Sequence, residues 1–362
     1  MRVFFLCVVF LLSLVGCKSN QPKKMKLKFV DEYVVEDSLQ FKNSFVGGLS
    51  GVDFDGENYY FVVDDSKDPR VFKVRINLKK DTINSVDFID VIYLKDSSEF
   101  YKQNSLDLES ILFDKENKQF NFVSEGSIYK GKNPSVFKTN LQGNFVMNYE
   151  IPEYFNANST SKPKHNATFE SSSKSFDNKG FWVGMEGVLE SDGEEATFTK
   201  TNSPIRITYF STSTAKAEKQ FAYQLDSIGN PPKGDVNLNG VTAILEYAKN
   251  QFFVVERAYQ NNYGSYGNTI KIYKATLEKK TTNTLESSSL KNIKFILVKK
   301  ELLLNFNDVR NQLTDGIVDN IEGITLGPKL SNGNQTLLLV SDDNFQMYGK
   351  QLNQLILLEI IE

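Results

Sequence analysis

A two-part unit recurs five times along this chain, and that recurrence constrains the fold more than any composition figure. Each copy has a small polar or acidic start, a short apolar run, a turn, and a second apolar run ending in a charged residue. The copies are residues 47–54 with 60–65, 107–113 with 120–125, 167–171 with 181–186, 239–245 with 252–257, and 319–328 with 337–345. The interval from Glu109 to Glu125 equals that from Glu170 to Glu186, so the repeat is structural and not a chance likeness. Self-similarity at tens of residues marks an array of one supersecondary unit that cannot bury its apolar face alone.

Each unit is followed by a further strand candidate, at residues 71–76, 135–139, 205–210, 270–274 and 354–359. Paired runs plus a third strand and a connecting fourth describe one blade of a β-propeller. The units begin at residues 47, 107, 167, 239 and 319. The later intervals exceed the roughly 40–50 residues of a single blade, and residues 295–304 offer a strand for a degenerate extra one. The expectation is therefore an all-β, six-bladed propeller, with seven blades fitting almost as well. A short polar segment at 306–313 is the one helical competitor and reads as a loop turn. The 28 Phe and 16 Tyr, set in short runs broken by Asn, Asp, Gly and Ser, favour strands throughout.

The N-terminus carries a different signal. Arg2 precedes an unbroken apolar run from residue 3 to residue 12, too short to span a bilayer, which takes about 20 apolar residues, but suited to a secretory signal. The ending Leu14-Val15-Gly16-Cys17 resembles a bacterial lipobox, in which the cysteine is lipidated and cleavage falls before it. We divide the chain into a lipoprotein signal peptide (1–16), a lipidated tether (17–28) and one propeller domain (29–362). Cys7, the only other cysteine, falls in the removed segment, so the mature domain has no free thiol and no disulfide. The polar stretches 153–165 and 190–203 lie between repeat units and read as long loops, not domain boundaries. The expectation is a protein of a bacterial cell envelope, membrane-anchored through Cys17 and facing the periplasm or the outside. A net charge of −3 with scattered basic residues lacks the footprint of a nucleic-acid binder.

Several motifs carry a family likeness. Gly48-Leu-Ser-Gly51 with Asp64 and Asp65, Glu256-Arg257-Ala-Tyr259, Asn320-Ile-Glu-Gly-Ile324 and Leu339-Val-Ser-Asp-Asp-Asn-Phe345 resemble the phytase-like family known as esterase-like activity of phytase. The resemblance runs from about Phe45 to the C-terminus. It implies a β-propeller and kinship with calcium-dependent phytases, which hydrolyse phosphomonoesters.

In a propeller the innermost strands line an axial channel and the loops of one rim converge. Acids at equivalent strand ends, namely Asp64, Asp65, Glu109, Glu125, Glu170, Glu186, Glu256, Glu322, Asp342 and Asp343, are therefore expected to ring one mouth. Crowded carboxylates raise one another's pKa unless a cation neutralises them, and oxygen donors suit a hard cation, calcium first. The metal candidates are Asp64, Asp65, Glu109, Glu170, Glu256, Glu322, Asp342 and Asp343. The catalytic candidates are Glu322, Asp342 and Arg257, acting on a phosphorylated or ester small molecule. For any one acid, hydrogen bonding to strand-end amides is as good a reading. For Arg257, clamping an anion competes with pairing to a neighbouring acid. Arg206 and Lys271 are the other basic candidates. Tyr259, Tyr263 and Tyr266 offer a stacking surface. The only histidine, His165, sits in a polar loop with no Gly-x-Ser-x-Gly elbow elsewhere, and no phosphate-cradling Gly-rich loop is present. Two functions follow: a calcium-dependent phosphoester hydrolase, or a non-catalytic binding propeller whose acids are structural.

Overall fold

The apolar runs of the repeat become strands whose faces are covered on both sides, which accounts for their near-continuous hydrophobicity. The computed structural model describes residues 25–362, so the signal peptide and Cys17 lie outside the described residues. Five four-stranded antiparallel sheets stand around one axis. Blade 1 comprises Leu49–Phe54, Tyr59–Val63, Arg70–Lys79 and Thr82–Tyr93; blade 2, Leu108–Asp114, Gln119–Ser124, Ser135–Asn140 and Phe145–Asn148. Blade 3 comprises Phe169–Lys174, Gly180–Met185, Pro204–Ser211 and Lys216–Gln224; blade 4, Asn237–Ala248, Gln251–Gln260, Asn268–Thr276 and Lys299–Asn305. Blade 5 is built from both ends of the chain, with Asn320–Leu326, Thr336–Asp342 and Asn353–Ile361 completed by Lys26–Val35. This last pairing closes the ring with main-chain hydrogen bonds between the two ends of the domain.

The first strand of each blade is innermost, and each contacts the inner strand of the next blade around the ring. Apolar residues fill the wedges between neighbouring sheets, with Phe61, Phe72 and Leu355 between blades 5 and 1 and Phe113, Phe120 and Phe137 between blades 1 and 2. Burying one such side chain stabilises the fold by roughly 1.5–3 kcal/mol, so the interblade wedges dominate cohesion. Among the described residues the one α-helix is Glu99–Gln103, capped by the Ser98 hydroxyl.

The blade number is five, not six or seven. The long intervals hold excursions instead of another sheet. Residues 295–304 do not start a blade: their strand, Lys299–Asn305, is the outer strand of blade 4. The loop before it, 277–298, crosses to blade 3, where the amides of Thr284 and Val298 donate to the carbonyls of Gln220 and Ala222. Blade 3 also buries a complete ion pair, in which the Arg206 guanidinium grips Asp192 through Nε (2.6 Å) and Nη2 (2.7 Å), with both side chains fully excluded from solvent. Segment 306–313 forms two short 3-10 turns, as a loop reading requires.

One backbone irregularity recurs in all five blades. The pairing of the inner strand with the second slips by one residue at Ser50, Glu109, Glu170, Thr242 and Glu322. A bulge bends its strand and re-aims the extra side chain. In blades 1 and 4 the bulged residue is a hydroxyl that ties to the next blade: Ser50 Oγ donates to the Leu108 carbonyl and Thr242 Oγ1 to that of Ile321, each at 2.7 Å. In blades 2, 3 and 5 it is a glutamate.

Candidate functional site

The strand register produces two tiers of side chains at one mouth of the channel. The first is the set of bulges, contributing Glu109, Glu170 and Glu322. The second is the position where each second strand reaches the rim, which the pairing identifies as Asp64, Glu125, Glu186, Arg257 and Asp342. Seven carboxylates and one guanidinium therefore occupy equivalent places in a five-fold array. Opposite the second tier, Asp107 and Asn320 add further oxygens; Gly240 occupies the same place in blade 4, and a Cβ there would lie 2.5 Å from Cγ of Glu186.

The array divides into two halves. In one, Arg257 serves as an internal cation: Nη1 donates to Glu322 (2.6 Å) and to Asn320 Oδ1, and Nη2 donates to Glu186 (2.7 Å). Burial works against the guanidinium charge, but Glu186 and Glu322 outweigh it and hold the group firmly protonated. In the other half, among the described residues, no basic side chain forms an ion pair with Asp64, Asp107, Glu109, Glu125 or Glu170. Carboxylate oxygens of Asp64, Asp107 and Glu109 lie within 4.8 Å of one another, as do those of Glu109, Glu125 and Glu170. Glu109 belongs to both triads.

Burial sets the protonation of this half. It pushes Glu109 and Glu170 well above the usual carboxylate range, reinforced by Asp64 beside the first and Glu186 beside the second. Asp64 is raised by burial and then by Asp107, with which it shares a hydrogen bond, and Asp342 by burial and then by Glu322. Glu125 is pushed up to about 8 by burial and Glu186, although the Thr168 amide donates to it at 3.1 Å. Glu322 is pushed to about 7 by burial, with Arg257 holding it back.

Three of the expected acids lie apart, and strand alternation is the reason. Asp65, Glu256 and Asp343 are one residue out of phase with the mouth positions. Asp65 pairs with Arg70 at 3.0 Å. Glu256 points between blades 3 and 4, accepting from Tyr223 (2.7 Å), from the Asp226 amide and from Lys300 Nζ. Asp343 joins blade 5 to blade 1 by accepting from the Gly48 amide at 2.9 Å. Among the basic candidates, Arg206 is consumed by Asp192, and Lys271 lies 3.7 Å from Asp226. His165 packs edge-on against Tyr129. Of the tyrosines, Tyr263 and Tyr266 donate to the carbonyls of Pro231 and Asp315, while Tyr259 stays half exposed. Asp107 was not singled out from sequence, although it opens its repeat unit as Asp319 opens the fifth. A cleft of about 60 Å³ runs from Glu186 between blades 3 and 4, bordered by Leu238, Asn239, Lys164 and Glu195.

The family described as esterase-like activity of phytase matches residues 44–345, most of the chain and all five inner strand pairs. The chain belongs to this phytase-like family. No curated protein matches the sequence. Solved structures similar to this phytase-like propeller include the catalytic domain of a Coprinopsis cinerea GH62 α-L-arabinofuranosidase, at 9% identity, 92% coverage of this chain, 97% of that one and a TM-score of 0.42. The Dos1 propeller is similar at 9% identity, covering 88% and 69% with a TM-score of 0.35. Kuenenia stuttgartiensis hydrazine synthase is similar at 10% identity and a TM-score of 0.37; 81% of this chain matches 64% of that longer one.

Proposed function

We propose that the mouth of this phytase-like propeller holds a hard divalent cation, calcium first, and that the protein is a calcium-dependent phosphoester hydrolase carried on a bacterial cell envelope by a lipid on Cys17. The observation that carries the reading is Glu109. Its buried carboxylate is shared by two triads of acid oxygens. An all-oxygen donor set without sulfur or imidazole fits calcium chemistry. Asp64, Asp107, Glu109, Glu125 and Glu170 are the residues that would hold the ion. When bound, calcium supplies charge stabilisation for a phosphoryl group and a more acidic water.

The remaining groups have their own tasks. Glu322, with a pKa of about 7, is suited to take a proton from an attacking water near neutrality. Arg257 fixes Glu322 and Glu186 in place, and burial together with the Glu186 carboxylate keeps the proton affinity of Glu322 high. One observation favours the second reading, a non-catalytic binding propeller. The guanidinium of Arg257, the cation nearest the acids, is spent on Glu186 and Glu322, leaving little to clamp an anionic substrate.

Calorimetry with and without calcium, alongside p-nitrophenyl phosphate turnover, separates these readings. Calcium is expected to raise the melting temperature and support turnover, with both effects abolished by Glu109→Gln/Glu170→Gln. Stabilisation without turnover leaves the binding propeller. Indifference of both readouts to calcium sinks the metal site itself.

A further inference from the structure

At the rim opposite the acidic mouth, the first hairpins of blades 3 and 4 enclose a cavity of about 300 Å³, five times the volume of the cleft at Glu186. This is the lower end of the ~300–1,000 Å³ range of small-molecule sites. Its inner wall is aromatic: the edge of Trp182 and the ring of Tyr209, 5.2 Å apart between centroids, are both nearly buried. Phe176 stands at its lip, 56% exposed. That exposure is enforced, because Glu246 accepts from the Phe176 amide (2.8 Å) and from Trp182 Nε1 (2.9 Å) through one oxygen and from the Asn250 amide (2.7 Å) through the other. One carboxylate thus pins both hairpins and holds an apolar ring over the opening.

The polar groups are equally specific in kind. Lys219 and Lys249 line the cavity, both exposed, and no carboxylate forms an ion pair with either among the described residues. Lys219 Nζ instead sits 5.3 Å from the Tyr209 ring centroid. Asp177 also lines it, its carboxylate fixed by the Ser175 hydroxyl at 2.8 Å.

We propose that this cavity is a binding site for a small acidic sugar, a ring-shaped polyol bearing one carboxylate or phosphate. The exposed Phe176 ring offers an apolar face to the C–H face of a pyranose, Asp177 accepts from its hydroxyls, and the two lysines meet its charge. A flat aromatic acid satisfies the rings and lysines but gives Asp177 nothing to accept. A neutral sugar leaves Lys249 unmatched. The site is at the far end of the channel from the acids and does not depend on the function proposed for them.

Trp182 is the only tryptophan in the chain, so its emission reads the cavity directly. Full-length mature protein is titrated with galacturonate, with glucose 6-phosphate and with galactose. A saturable change is expected with at least one acidic sugar, identifying carboxylate or phosphate as the preferred charge, with galactose weaker by roughly tenfold. Phe176→Ala and Lys249→Gln, both at exposed positions and checked by their melting temperatures, are expected to weaken the acidic ligand by about tenfold each. Absence of saturation with both acidic sugars overturns the proposal. Equal affinity for galactose, or wild-type affinity in both variants, does so too.

Discussion

The buried carboxylates of the mouth give a pH dependence whose sign is fixed. Glu125, raised from 4.5 to about 8, contributes stability that is fully present below the ordinary glutamate value and lost as pH rises through about 8. Glu322 does the same over a window ending near 7. In chelator, the melting temperature is therefore expected to fall from pH 5 to pH 9, and calcium to flatten that slope. A chelated protein whose melting temperature is level or rising across this range contradicts a packed acid cluster. Which acids belong together was partly legible in the sequence. The repeat marked Glu109, Glu125, Glu170, Glu186, Asp64 and Asp342, but it also admitted Asp65, Glu256 and Asp343, which differ from mouth residues only by one step of strand alternation. Separating them needs the length of each second strand, and the adjacent pairs Asp64-Asp65, Glu256-Arg257 and Asp342-Asp343 leave that length undetermined. The bulges were illegible altogether, since a one-residue slip leaves no mark on an apolar run.

Among the elements, blade 3 depends on a contact that no local pattern announces. Arg206 lies in its third strand, and Asp192 in the loop after its second. The guanidinium also donates to Gln220 and to the Ser287 carbonyl in the loop reaching over from blade 4. Arg206→Met removes the charge while keeping much of the length, stranding Asp192 in a dry site. Breaking a buried pair from one side costs about 3–5 kcal/mol, and denaturant unfolding is the measurement, with a loss under about 1 kcal/mol refuting this role. The same loop explains the miscounted blades. All five third strands fall where the sequence places them, because β-branched and aromatic residues bounded by turns are local information. Whether a long interval holds a further sheet or a strap across a neighbour is decided by contacts such as that between Thr284 and Gln220, which periodicity does not encode.

For the whole molecule, closure rests on Lys26–Val35 lying beside Asn353–Ile361, so the two ends of the domain share one sheet. Deleting residues 25–35 bares the hydrogen-bonding edge of an almost wholly buried strand, a template for association. The truncated domain is expected to be mostly insoluble or oligomeric by size-exclusion chromatography; a soluble monomer with wild-type melting would show that closure is dispensable.

The direction of that closing strand also orients the molecule. Lys26 pairs with Ile361 at the rim of the hairpin cavity, and the strand then rises about 30 Å, at roughly 3.3 Å per residue, to Val35 on the side of the acids. If Cys17 carries the lipid proposed above, the anchored end of the chain enters the domain at this rim, opposite the acids. Ligands of the acidic mouth and of the hairpin cavity would approach from opposite ends of the propeller, so neither would block the other.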